Sequence, residues 1–175
     1  MATQLTRLSP RQLNSVFISS LGEAVQRVIN PNKKPLEIDV QLRAYSANLR
    51  VYLYNCTNPP GGRAPDEYKS QLIVPGQKKG DRGNFHYDGE RIVLLGGYAK
   101  LGVATEEHVF VFWDPAFHYD FAFSANVQVK SSLLISALVD GVAVGKKSNG
   151  ETIVACTPVR LKEGIGTRLS TVSDF

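Results

Sequence analysis

Two different spacings of apolar residues divide the chain. Near the start, Leu13, Val16, Phe17, Leu21, Ala24, Val25 and Val28 recur every three or four positions, which is the stripe of an amphipathic helix. Ser9 as N-cap, Pro10 at the first helical position and Gln12 three residues after the cap mark its beginning, and Asn30-Pro31 its end, so a helix is predicted over 9–30. Beyond it the period falls to two. "IDVQLRAYS" and "LRVYLYNC" alternate apolar and polar residues, with a hairpin turn expected at Ala47-Asn48. "YKSQLIV", "RIVLLGG", "HVFVFWD", "YDFAF", "NVQVK" and "ETIVACTPV" are further strand candidates, joined by connections rich in Gly, Pro and Asn. "SSLLISALV" reads as a second helix, capped by Ser131 or Ser132 and ended by Asp140-Gly141. The pattern predicts a mainly β fold with two flanking α-helices. Seven or eight short strands favour a closed or nearly closed barrel, because closure removes exposed strand edges.

Length and charge refine this picture. A chain of 175 residues fits one domain able to bury a core without metal or disulfide support. We expect a single domain over 1–175, with a β body over 39–159 and a tail or linker over 160–175. Nothing in "MATQLTRLSP" resembles a signal peptide and no apolar run is long enough to span a bilayer, so the expected location is the cytoplasm, with no membrane partner. Cys56 and Cys156 have no CxxC or CxxH spacing and lie in apolar strand contexts, which predicts buried free thiols. The net charge is +4 and the pI about 9.1. The excess is clustered in three turn-like stretches: Lys33 and Lys34, then Lys78, Lys79 and Arg82, then Lys146 and Lys147. Such loops are either solvated surface or contacts to an anionic polymer.

Two stretches carry candidate chemistry. "GGRAPDEYKSQ" holds Pro-Asp and Glu-x-Lys, the halves of the PD-(D/E)xK nuclease signature, yet Asp66 and Glu67 are consecutive and would point to opposite faces of a strand. A looser nuclease site would join Asp39 to Glu67 and Lys69. The same stretch is alternatively a glycine-hinged arm on which Arg63, Asp66, Glu67, Lys69 and Gln71 offer base-reading donors and acceptors. In "HYDFAFSANVQVKSS", aromatic residues alternate and then Gln128 and Lys130 share a face, which makes a second arm or a plain hairpin. His86, His108 and His118 belong to no nucleophile motif, and "GQKKGDRGN" lacks the order of a phosphate loop.

Taken together, "YLYNCTNPPGGRAPDEYKSQLIVPGQ", "GNFHYDGERIVLLGGY", "FVFWD" and "FSANVQVK" resemble the B3-like DNA-recognition domains of prokaryotic type II restriction endonucleases. The resemblance spans about Asp39 to Val159. It implies a seven-stranded open pseudobarrel with two helices, gripping the major groove of double-stranded DNA with an N-arm and a C-arm. It also implies base contacts from Arg63, Asp66, Glu67, Lys69 and Gln71 on the first arm and from Tyr119, Ser124, Asn126, Gln128 and Lys130 on the second. The three basic loops, with Lys33, Lys34, Lys78, Lys79, Arg82, Lys146 and Lys147, would hold phosphates. No cofactor is implied for DNA binding; Mg²⁺ is expected only for an attached nuclease domain of PD-(D/E)xK type. The partners implied are double-stranded DNA and a nuclease domain, covalently joined or separate. Two other functions remain open at this stage: the Asp39/Glu67/Lys69 nuclease, and an SRA-like reader of a modified, flipped cytosine.

Overall fold

The computed structural model describes residues 7–58, 64–101 and 107–171. Helix α1 (Pro10–Leu21) starts at the expected cap: the Ser9 hydroxyl accepts from the Gln12 amide, and the Gln12 side-chain oxygen accepts from the Ser9 amide. It ends earlier than the apolar spacing predicts. Gly22 takes φ +54°, a left-handed conformation that closes the helix, and after one 3-10 turn Val25–Val28 form strand β1. The spacing of Val25 and Val28 fits a helical face, but both are β-branched and here sit on a strand pairing with β2 (Leu36–Gln41). Strand β3 (Ser46–Cys56) follows, and the turn between β2 and β3 lies at Leu42–Tyr45. Ala47 and Asn48, the expected turn, are ladder residues opposite Val40 and Asp39.

The remaining strands are β4 (Glu67–Leu72), β5 (Arg82–Gly83), β6 (Ile92–Lys100), β7 (His108–Trp113), β8 (Phe121–Ala122) and β9 (Ala125–Lys130). Helix α2 (Ser131–Asp140), β10 (Val142–Lys146), β11 (Thr152–Cys156) and α3 (Leu161–Ser170) complete the chain. One seven-stranded mixed sheet runs β1-β2-β3-β6-β7-β11-β10, with β3 and β6 parallel and every other pair antiparallel. The sheet is mainly antiparallel and does not close into a barrel: β1 and β10 are its two edges. Two small ribbons, β4–β9 and β5–β8, lie beside it.

Both faces of this sheet are covered. On one, α1 and α3 pack Leu13, Phe17, Leu161 and Ile165 against Leu36, Ile38, Phe110 and Phe112. On the other, α2 and the β4–β9 ribbon pack Leu134, Leu72, Val127 and Val129 against Tyr52, Leu95 and Trp113. Burial on two sides is why β7 shows a continuous apolar run rather than alternation. Gly96 and Gly97 make room for it: a Cβ on Gly97 would come within 2.9 Å of the Trp113 ring.

The segment expected to be a tail is part of the core. Leu161 and Ile165 of α3 are fully buried, and Gly164 lies so close to β11 that a Cβ there would overlap Cys156 Sγ. Its two glycines look like helix breakers in sequence, whereas Gly164 serves as the contact that lets the helix approach the sheet. Cys56 and Cys156 are free and buried, as expected, and burial pushes both thiols up to about 12. No helix among the described residues is long and apolar enough to cross a membrane.

Candidate nucleic-acid interface

The two stretches singled out in the sequence meet in space. β4 and β9 pair antiparallel, with Glu67 opposite Lys130, Lys69 opposite Gln128 and Gln71 opposite Asn126. Residues directly opposite in an antiparallel pair share a face, and the alternate set faces inward: Ser70, Leu72, Val127 and Val129 are buried. Six of the ten sequence-predicted base readers therefore form one outward polar face on a two-stranded ribbon. The two segments do not project as separate arms over this length.

The ribbon is fixed from beneath. The buried Trp113 indole donates to the Gln128 carbonyl at 2.9 Å, the Ser70 hydroxyl donates to the Asn55 carbonyl at 2.9 Å, and Lys69 exchanges backbone hydrogen bonds with Thr57 at the end of β3. Trp113 is thus a core residue that also positions the outward face above it.

The other predicted readers lie elsewhere. Asp66 is exposed just before β4, with its carboxylate 3.5 Å from the Lys130 ammonium. Tyr119 packs at a tilt against Tyr87, 5.9 Å between ring centroids, in the connection ahead of β8, and Ser124 occupies the turn into β9 with φ +62°. Arg63 lies outside the described residues.

Two clefts flank the ribbon. Along β4, a cleft of about 170 Å³ is lined by Lys34, Lys69 and Gln71 together with Arg7, Tyr54 and Asn55. Along β9, a cleft of about 310 Å³ is lined by Lys130, Lys146 and Lys147 with Ser132 and Ser136 of α2. The predicted phosphate loops at 33–34 and 146–147 thus approach the ribbon from its two sides. The loop holding Lys78, Lys79 and Arg82 lies at the ribbon's far end, beyond Leu72, where Arg82 forms an exposed ion pair with Asp120 at 3.0 Å. Lys33, Lys78, Lys79 and Lys146 are exposed and make no ion pair among the described residues.

The loose nuclease site does not assemble. Asp39 pairs with Asn48 at the start of β3, while Lys69 bridges Thr57 at its end. Nine residues of strand (48 to 57) separate those levels, roughly 30 Å at about 3.3 Å per residue. Asp39 is engaged instead by the Arg91 guanidinium at 2.9 Å, within a network in which Arg91 also meets Glu37 and Arg50 meets Asp88. Among the described residues no cluster of His, Cys, Asp or Glu could hold a metal ion.

Sequence reasoning missed Arg7, Tyr54 and Asn55 at the first cleft, and Asn14 behind the loop that carries Lys34. Asn14 was hidden because a polar residue in a helical stripe reads as surface; it is buried and donates to the Pro31 and Lys33 carbonyls, fixing the loop that carries Lys34.

Residues 47–165 match the family described as methylase-associated X1, which includes both strands of the ribbon. The chain belongs to this family. No curated protein and no solved structure shows significant similarity to the methylase-associated X1 chain.

Proposed function

We propose that this methylase-associated X1 domain is a sequence-specific reader of double-stranded DNA serving a restriction–modification system. The observation that carries the reading is the β4–β9 ribbon: Glu67, Lys69, Gln71, Asn126, Gln128 and Lys130 on one outward face. A two-stranded ribbon fits the major groove, where glutamine and asparagine pair with adenine, lysine with guanine, and a carboxylate accepts from cytosine N4. The lysine-lined clefts on either side match the positions of backbone phosphates, which fix register and carry no sequence information. In the finer version the fold is a B3-like open pseudobarrel acting as the target-recognition or effector domain of a restriction endonuclease. The seven strands and the helices on their faces support it. Catalysis then belongs to a separate or attached nuclease or methylase, and Mg²⁺ to a PD-(D/E)xK nuclease alone.

The test is selection from a randomised duplex pool by gel shift, with Mg²⁺ absent and then present. Enrichment of a short motif in intact DNA is expected. Gln128→Ala should relax one base pair of that motif at a cost of about 1–3 kcal/mol, whereas Lys79→Ala should weaken all sequences alike. A pool recovered without enrichment, or a motif indifferent to Asn126→Ala and Gln128→Ala, would overturn the reading.

A further inference from the structure

We propose that the cleft between the segment entering α1 and strand β4 is a phosphate seat, in which Lys34 and Arg7 hold one phosphate group beside Lys69 at the edge of the ribbon. The proposal deepens the DNA reading and rests on it only for the source of the phosphate, a backbone phosphodiester beside the ribbon. Every charged side chain lining the cleft is a cation, and no carboxylate lines it. Lys34 is half-buried, has no ion-pair partner among the described residues, and lies 3.7 Å from the centroid of the Tyr54 ring. An ammonium drawn out of water without an opposite charge destabilises the fold, so a bound anion there supplies what the chain omits.

The walls are fixed without a ligand. Asn14 holds the backbone of the Lys34 loop through the Pro31 and Lys33 carbonyls, at 3.1 and 2.7 Å. Asn55 exchanges two hydrogen bonds with the Leu8 backbone, at 2.9 and 2.8 Å, which places the neighbouring Arg7. The Tyr54 hydroxyl donates to the Ile73 carbonyl at 3.0 Å and so ties the chain beyond β4 to the same site. Three polar side chains, two of them buried, are thus committed to holding three separate segments around the cations. Such preorganisation reduces the ordering cost of binding.

The seat has a pH signature. Burial holds the Lys34 ammonium below the usual lysine range, at about 8. The charged or titratable groups facing it are Arg7 from the segment before α1, Tyr54 from β3 and Lys69 from β4. A bound phosphate favours the charged amine and raises that value, so binding takes up a proton and weakens as pH rises through 8. If the bound form retains its proton, duplex affinity should fall about tenfold between pH 7 and pH 9. Lys34→Arg should flatten that fall, because a guanidinium stays charged across the window.

The experiment has two arms on the full chain. Inorganic phosphate is titrated at pH 7 while side-chain NMR signals of Lys34, Lys69 and Arg7 are followed, in the wild type and in Lys34→Gln; a short duplex is then added as competitor. The expected result is saturable perturbation in the wild type, its loss in Lys34→Gln with a melting temperature no lower than that of the wild type, and displacement by duplex. Saturable phosphate binding that duplex does not displace keeps the seat but assigns it to a free phosphorylated ligand. No saturable perturbation, or the same response in Lys34→Gln, overturns the seat. Gln128→Ala distinguishes the two readings: it alters duplex selectivity if the ribbon reads bases, whatever the phosphate titration shows.

Discussion

Glu151 has no exposure to water, and its carboxylate faces neighbours from two connections, β7–β8 and β10–β11. One oxygen accepts from the Asp114 amide at 3.2 Å and lies 2.7 Å from His118 Nε2; the other has only the Lys147 ammonium, at 3.8 Å. Beside it the buried Arg168 of α3 donates to the Thr152 carbonyl and approaches the Asp114 carboxylate at 3.5 Å. Buried charges of this kind contribute little net stability as a pair, but losing one partner strands the other. Arg168→Met should therefore destabilise the fold by about 3–5 kcal/mol, read as a lower urea midpoint. Because Lys147 is tied to Glu151, it is the less available lysine of its loop. Lys146→Ala is expected to weaken duplex binding more than Lys147→Ala does, measured by gel shift at fixed salt.

Elements were legible where local chemistry decides them and obscure where a distant contact does. The start of α1 follows from Ser9, Pro10 and Gln12 alone, and the alternation of "YKSQL" and "NVQVK" predicts which residues of β4 and β9 point outward. That these two strands pair with each other is not in either sequence, since pairing depends on the sheet beneath and on Trp113 reaching the Gln128 carbonyl. Helix α3 is obscure for the same reason: "LKEGIGTRLS" has two glycines and a weak apolar stripe, and only its position against β11 explains them. That contact makes a test. A methyl group at Gly164 would overlap Cys156 Sγ and Cβ, so Gly164→Ala should cost about 1–3 kcal/mol despite alanine's better helix propensity, while Gly166→Ala, with open space around it, should be neutral or stabilising. Thermal melts of the two variants decide it; equal melting temperatures would mean that α3 does not pack as closely as the geometry requires.

At the scale of the whole molecule, a net charge of +4 is small for a nucleic-acid binder, and its arrangement matters more than its size. Several cations are already paired: Lys130 with Asp66, Arg82 with Asp120, and Lys147 with Glu151. Lys33, Lys78, Lys79 and Lys146, which make no ion pair among the described residues, flank the ribbon on both sides and at one end. Each lysine that meets a phosphate releases condensed counterions, so its loss should lower the slope of log K against log salt by about 1. If the ribbon lies in the groove with both flanks on the backbone, Lys33→Ala and Lys146→Ala should each lower the slope, and their effects should add because they lie on opposite sides of the ribbon. Arg82→Ala should change it less, since removing that guanidinium also frees the carboxylate of Asp120. A slope that responds on one side only would place the duplex against a single cleft and leave part of the ribbon outside the groove; the ribbon substitutions Gln71→Ala and Gln128→Ala would then differ in their effect on sequence selectivity.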